Sequence, residues 1–156
     1  MESMKAQMHP ASLESHIGYW LRMVSNHVSQ SFARKVEGSG VTVAEWVMLR
    51  EMYEMGETSP SRLAASSGLT RGAVSKLVDR LVQKKLAARA EAEGDRRYQD
   101  VKLTAAGRAL VPTLAALADK NEEEFFSCLP AGERATLTAM LRKLAAANNL
   151  KKIPVN

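Results

Sequence analysis

Cysteine is nearly absent: Cys128 stands alone in 156 residues. A single thiol excludes an intramolecular disulfide and any multi-cysteine zinc module. It fits a reducing compartment. Aromatic residues are scarce, at 5%. The nine glycines and five prolines cluster at a few points. Such a composition reads as mainly helix with sharp breaks. No apolar run approaches the roughly 20 residues of a membrane span. Met1 to Pro10 lacks the apolar stretch of a signal peptide. The expectation is a soluble cytoplasmic protein that contacts no membrane. Enzyme signatures are missing too. No nucleophile–base pair, carboxylate pair or metal-ligand spacing is visible, and His9, His16 and His27 all precede residue 30. His16 and His27 lie eleven residues apart, on the order of 16 Å along one helix, so they cannot chelate one ion there. The chain is expected to be no enzyme and to need no cofactor or metal.

What is present is a folded composition, 46% hydrophobic and 25% charged. That is enough for one sizeable core or two small ones. The net charge is +5. Gly56–Arg108 holds eleven Lys and Arg against six acids, and the remainder is balanced. The whole excess therefore sits in one third of the chain. A basic region on a neutral body suits a polyanion, although a solvated charged face has the same composition.

Helical punctuation is dense. Ser12 to Val36 carries apolar residues at steps of three and four, including Leu13, Ile17, Trp20, Leu21, Val24, Val28, Phe32 and Val36. Gly38-Ser39-Gly40 ends that helix. Thr42-Val43-Ala44-Glu45 is a capping box, in which Glu45 reaches back to the cap. Trp46, Leu49 and Tyr53 are the expected core of the second helix. Ser59-Pro60 starts a short third helix that ends at Gly68. Thr70 caps a fourth, with Val74, Leu77, Val78 and Leu81 on one face and an end near Lys85. Ala87–Glu91 and Tyr98–Leu103 flank a turn at Glu93-Gly94-Asp95, the pattern of a hairpin. Thr104 caps a fifth helix through Phe126 with Leu110, Leu114 and Leu117 inward and Pro112 inside it. A sixth follows from Ala131 to Asn148.

The third and fourth helices fit a helix-turn-helix. Ala64 is small where the two helices meet. Gly68 sits where a positive φ is needed. Leu69 and Val74 lock the angle. Thr70 to Gln83 then offers a polar, basic outer face for phosphate and base contacts. The hairpin behind it makes a wing. Asp95-Arg96-Arg97 falls near the tip, where arginines suit a narrow minor groove. Asp95 can pin Arg97 through a bidentate pair, or the three can be an ordinary surface cluster.

These residues resemble the MarR family of bacterial transcription regulators. The resemblance runs through Ser61-Arg62-Leu63-Ala64, Gly68-Leu69-Thr70 and Val74 to Leu81. It continues through Asp95-x-Arg97 into Val101-Lys102-Leu103-Thr104-x-x-Gly107. The chain departs from the family at Lys85, where the family usually turns with Gly before the wing. The resemblance implies a mainly α, winged helix-turn-helix fold with six helices and a two-stranded wing. It implies a helical dimerisation region at 1–40 and 104–156 and a DNA-binding domain at 41–103. A homodimer would read a pseudo-palindromic operator and repress transcription until a small, aromatic or phenolic ligand releases it. Thr70, Arg71, Gly72, Ser75, Lys76 and Arg80 would lie near DNA. Arg97 would be the minor-groove arginine, Asp95 its orienting partner and Arg96 a phosphate contact. A winged-helix module that binds only protein is the competing reading, against which the basic face argues.

Effectors of such proteins bind between the dimer helices and the winged domain. His16, Tyr19, Trp20 and Arg22 are candidates to line that crevice, although Trp20 on an apolar stripe reads first as core. Cys128 reads as a buried structural thiol. Glu122-Glu123-Glu124 reads as a solvated face, and the methionines as core filler.

Overall fold

Four hydroxyl groups start four of the six helices. Thr42 Oγ1 accepts from the Glu45 N–H at 3.1 Å, Ser59 Oγ from Arg62 at 3.2 Å, Thr70 Oγ1 from Ala73 at 3.2 Å and Thr104 Oγ1 from Gly107 at 3.1 Å. Each such cap is worth about 1 kcal/mol to its helix. A computed structural model describes residues 9–90 and 100–150. The caps open α2 (Val43–Met55), α3 (Pro60–Ser67), α4 (Arg71–Gln83) and α5 (Ala105–Phe126). The first helix, α1, is Ile17–Glu37, and the last, α6, is Ala131–Ala147. Strands β1 (Ala87–Ala90) and β2 (Asp100–Leu103) pair antiparallel, with Ala87 opposite Leu103 and Ala90 opposite Asp100. The mainly α winged architecture agrees with the sequence reading.

The first helix starts later than its apolar stripe suggests. Leu13–Ser15 forms a separate 3-10 turn, and His16 is extended at φ −98° and ψ 128°. The stripe continues across the break because the turn keeps roughly helical spacing. α5 passes through Pro112 without ending there, and Pro112 is exposed.

One core joins the elements. Val36 of α1, Met48, Leu49 and Met52 of α2, Leu63 of α3, and Val74, Leu77, Val78 and Leu81 of α4 are buried with Val101, Leu103, Val111 and Leu114. Methionines therefore fill the α2 core, while Trp46 and Tyr53 pack only partly against it. A polar clamp links α1 to α5. Lys35 Nζ donates to Asn121 Oδ1 at 3.0 Å, and buried Asn121 donates back to the Val28 carbonyl at 3.2 Å.

α6 is different. It has no buried residue, and Met140, Leu141 and Leu144 are exposed. Ile17, Trp20, Leu21 and Val24 of α1 are exposed as well, Ile17 at 75% and Trp20 at 49%. The expectation of Trp20 as core therefore fails, because among the described residues nothing covers the first half of α1.

Candidate nucleic-acid interface

The α3–α4 unit is built from its buried side outward. Leu63 anchors α3, and Val74, Leu77, Val78 and Leu81 anchor α4. Between them Gly68 adopts φ 76°, ψ 4°, the left-handed conformation that a side chain would resist. With its apolar side fixed inward, α4 presents the rest to solvent. Thr70, Arg71, Gly72, Ser75, Lys76 and Arg80 are all exposed. The structure brings these six expected residues onto one outer surface. Three cations, two hydroxyls and a glycine without side-chain bulk suit the phosphates and base edges of a duplex groove. Asp95, Arg96 and Arg97 lie outside the described residues.

The wing is tied to α4 at its root. Arg89 of β1 forms an ion pair with Asp79 of α4, so the acid on the outer face is neutralised by a wing cation. A further contact widens the sheet. Thr58 exchanges two backbone hydrogen bonds with Val101, at 2.9 and 2.7 Å. One buried residue between α2 and α3 thus serves as a third strand position. No periodicity marks a single residue, so sequence reasoning missed it.

The turn out of α4 explains two features of the sequence. Lys85 has φ 62°, so the lysine occupies the left-handed position where glycine is the unstrained choice. The chain keeps the turn and bears the strain. Thr104 Oγ1 donates to the Lys85 carbonyl at 2.8 Å, and the Thr104 N–H donates to that of Leu86 at 3.1 Å. Gly107 packs so closely that a Cβ there would stand 2.0 Å from the Leu86 oxygen. The Leu-Thr-x-x-Gly pattern is therefore a clamp on the turn that feeds the wing.

Glu45 corrects the capping-box reading. Its N–H meets Thr42, but its carboxylate does not return to the cap. The carboxylate is buried and accepts from Lys84 Nζ at 2.6 Å.

The expected effector residues do not gather with the winged domain. Trp20 lines an apolar groove of about 500 Å³ with Leu21, Val24, Phe126, Leu137 and Leu141, between α1, α6 and the end of α5. Tyr19 meets Trp20 edge to face at 5.5 Å. His16 stands outside the helix with Nδ1 near the Ser12 carbonyl, and Arg22 is exposed. Among the described residues no group of three His, Cys, Asp or Glu side chains could hold a metal. Cys128 is exposed rather than buried, because it lies in the turn between α5 and α6. The acidic run is not merely solvated. Arg134 of α6 grips Glu123 with both terminal nitrogens, at 2.9 and 3.3 Å, and Lys35 pairs with Glu124 at 2.8 Å. The Arg134 hydrogen bond holds the Glu123 carboxyl below its ordinary value, and that of Lys35 does the same for Glu124.

Residues 39–97, a segment that includes α2, α3, α4 and β1, match the family model described as "MarR family". The chain is similar to the MarR family in sequence and in fold. It is 26% identical to the HTH-type transcriptional repressor NicR of Pseudomonas putida over 135 residues, covering 86% of this chain and 85% of that one. Among solved structures of the MarR fold it resembles BpsR of Bordetella bronchiseptica at a TM-score of 0.75. That match has 27% identity and covers 88% of this chain and 98% of that one. The BpsR structure concerns regulation of DNA binding by 6-hydroxynicotinic acid. The S. aureus MepR–DNA complex matches at a TM-score of 0.74 and 27% identity, covering 85% and 98%. MarR-family proteins are transcriptional regulators. Among the described residues of this chain, no helix is long and apolar enough to cross a membrane.

Proposed function

We propose that this chain is a MarR-type regulator, a dimeric, sequence-specific repressor that acts in the cytoplasm and carries out no reaction of its own. The observation that carries the reading is the outer face of α4. Thr70, Arg71, Gly72, Ser75, Lys76 and Arg80 are exposed together on a helix whose other face is locked into the core. In this account α4 enters the major groove, and Arg97 enters the minor groove beside it with Asp95 as its partner and Arg96 on phosphate. Residues 41–103 form the reading domain, and residues 1–40 and 104–156 form the dimerisation region.

Dimerisation follows from the uncovered apolar faces of α1 and α6. Exposed apolar surface of this extent marks an interaction site, and two equal faces suit a two-fold pair. Two copies of α4 must then stand about 34 Å apart to meet a pseudo-palindromic operator. Any ligand that binds one spacing better than another shifts the population between them. NicR is a repressor and BpsR answers to 6-hydroxynicotinic acid. Release by a small aromatic ligand is the corresponding expectation here. Trp20, which lines the apolar groove, is the best-placed of the four candidates to meet such a ligand, with Tyr19 against its ring.

The test is a titration against the DNA upstream of the chain's own gene, at two salt concentrations, with mixed-sequence competitor. A specific repressor binds tightly, survives competitor and weakens as salt rises. Absence of binding at both salt concentrations would move the assignment to a winged helix that recognises protein.

A further inference from the structure

We infer that Lys84 is a positioning residue for DNA reading, whose ammonium fixes the exit of α4 against the loop that ends α1. The inference rests on α4 being the recognition helix. Lys84 is the C-cap of α4, and its N–H still donates to Arg80 of the last turn. Its side chain leaves the helix and makes two directed bonds. Nζ donates to Glu45 Oε2 at 2.6 Å and to the Gly40 carbonyl at 2.9 Å. These acceptors lie 39 and 44 residues away in the chain. Gly40 belongs to the loop leaving α1, and Glu45 to the first turn of α2. One ammonium therefore gathers the end of the first helix, the start of the second and the end of the fourth.

Two arguments make this more than a surface ion pair. Glu45 is only 1% exposed. A carboxylate stripped of water is costly unless its partner stays in place, whereas a solvated pair tolerates many geometries. Second, the apolar face of α4 resists separation from the core, but apolar attraction has no direction. Hydrogen bonds do. The Lys84 bonds therefore restrict how α4 turns and slides, and those are the motions that would move Arg71, Ser75, Lys76 and Arg80 off register with base edges.

A phosphate contact by Lys84 itself is the competing role, since its side chain is 39% exposed. Salt dependence separates the two. Loss of one phosphate contact lowers the slope of log affinity against log salt by about one and weakens all sequences alike. Loss of positioning leaves the slope and lowers the preference for the operator.

The experiment uses the full chain and an operator selected with the wild-type protein. Lys84→Met alone strands a buried carboxylate and can unfold the protein. The deciding variant is the double change Glu45→Leu with Lys84→Met, which fills the same space with apolar groups. It is expected to remain a folded dimer with the wild-type salt slope. Its operator-to-competitor affinity ratio should fall about tenfold, the scale of a lost base contact. Glu45→Gln keeps an acceptor oxygen and should retain most of the ratio. An unchanged ratio in the double variant would show that the pair only supports folding. A reduced slope with both affinities lowered equally would make Lys84 a phosphate ligand. Either result overturns the inference. Wild-type protein with no sequence preference would instead remove the recognition-helix reading, and this inference with it.

Discussion

Gly68 leads into α4 at φ 76°, and Lys85 leaves it at φ 62°. The two backbones are alike and the residues are not. At the entry, glycine adopts the conformation at no steric cost, and its N–H simply closes α3 on Ala64. At the exit, a lysine bears the left-handed conformation, which costs about 1–2 kcal/mol. Neighbours hold it there. Thr104 bonds the Lys85 carbonyl, Gly107 gives way to Leu86, and Lys84 is tied to Gly40 and Glu45. A strained turn persists when its surroundings determine it from several sides. The comparison teaches that a turn can be specified by its own residue or by its neighbours, and only the first kind is written locally.

The largest expected effect comes from breaking the exit. Gly107→Ala drives a methyl into the Leu86 carbonyl and should cost about 3 kcal/mol, read as a lowered denaturant midpoint. Gly68→Ala breaks the entry instead. The Ser67 hydroxyl accepts from the Leu69 N–H across that turn at 3.3 Å, and the added methyl should still cost about 1–2 kcal/mol and weaken DNA binding through the altered α3–α4 angle. Lys85→Gly sharpens the comparison by removing the strain. Part of the gain is offset by the freer unfolded glycine, so stability should rise by about 0.5–1 kcal/mol. A loss of stability would mean that the lysine side chain contributes more than its backbone costs.

The corner between α5 and α6 is held differently, by exposed ion pairs, and gives the smallest effect. Arg134 lowers the Glu123 carboxyl pKa, and Lys35 lowers that of Glu124. Stabilisation from groups with depressed values is present above the ordinary carboxylate range. It is lost as pH falls through the depressed values. Carboxyl NMR titration should show Glu123 and Glu124 titrating below the ordinary carboxylate range, with their contribution to stability unchanged from neutral pH down to that range.

The same local-versus-distant distinction governs what the sequence revealed. Thr42, Ser59, Thr70 and Thr104 all cap as read, because a cap needs only a hydroxyl and an amide three residues on. Gly68 was legible for the same reason. The exposure of Thr70, Arg71, Gly72, Ser75, Lys76 and Arg80 was legible from the buried stripe that fixes which face remains. Glu45 was misread because its partner, Lys84, is distant in the chain. Thr58 at the sheet edge is a single residue with no pattern. The break at His16 is hidden by a stripe that continues across it. Trp20 was expected inside because its spacing is that of a core face. α1 buries Val36 at one end and exposes Ile17, Trp20 and Leu21 at the other. Spacing reports that a face is apolar, not which chain covers it.

Sequence reading by the exposed face of α4 can be tested directly. The direct measurement compares wild-type protein with Arg80→Ala and Lys76→Ala on a selected operator and on competitor DNA, with dimer mass and melting temperature recorded alongside. If α4 reads the sequence, both variants stay folded dimers and their operator affinity falls by about 1–3 kcal/mol per lost base contact. Their competitor affinity falls less. Variants that bind operator and competitor as the wild type does would contradict that reading.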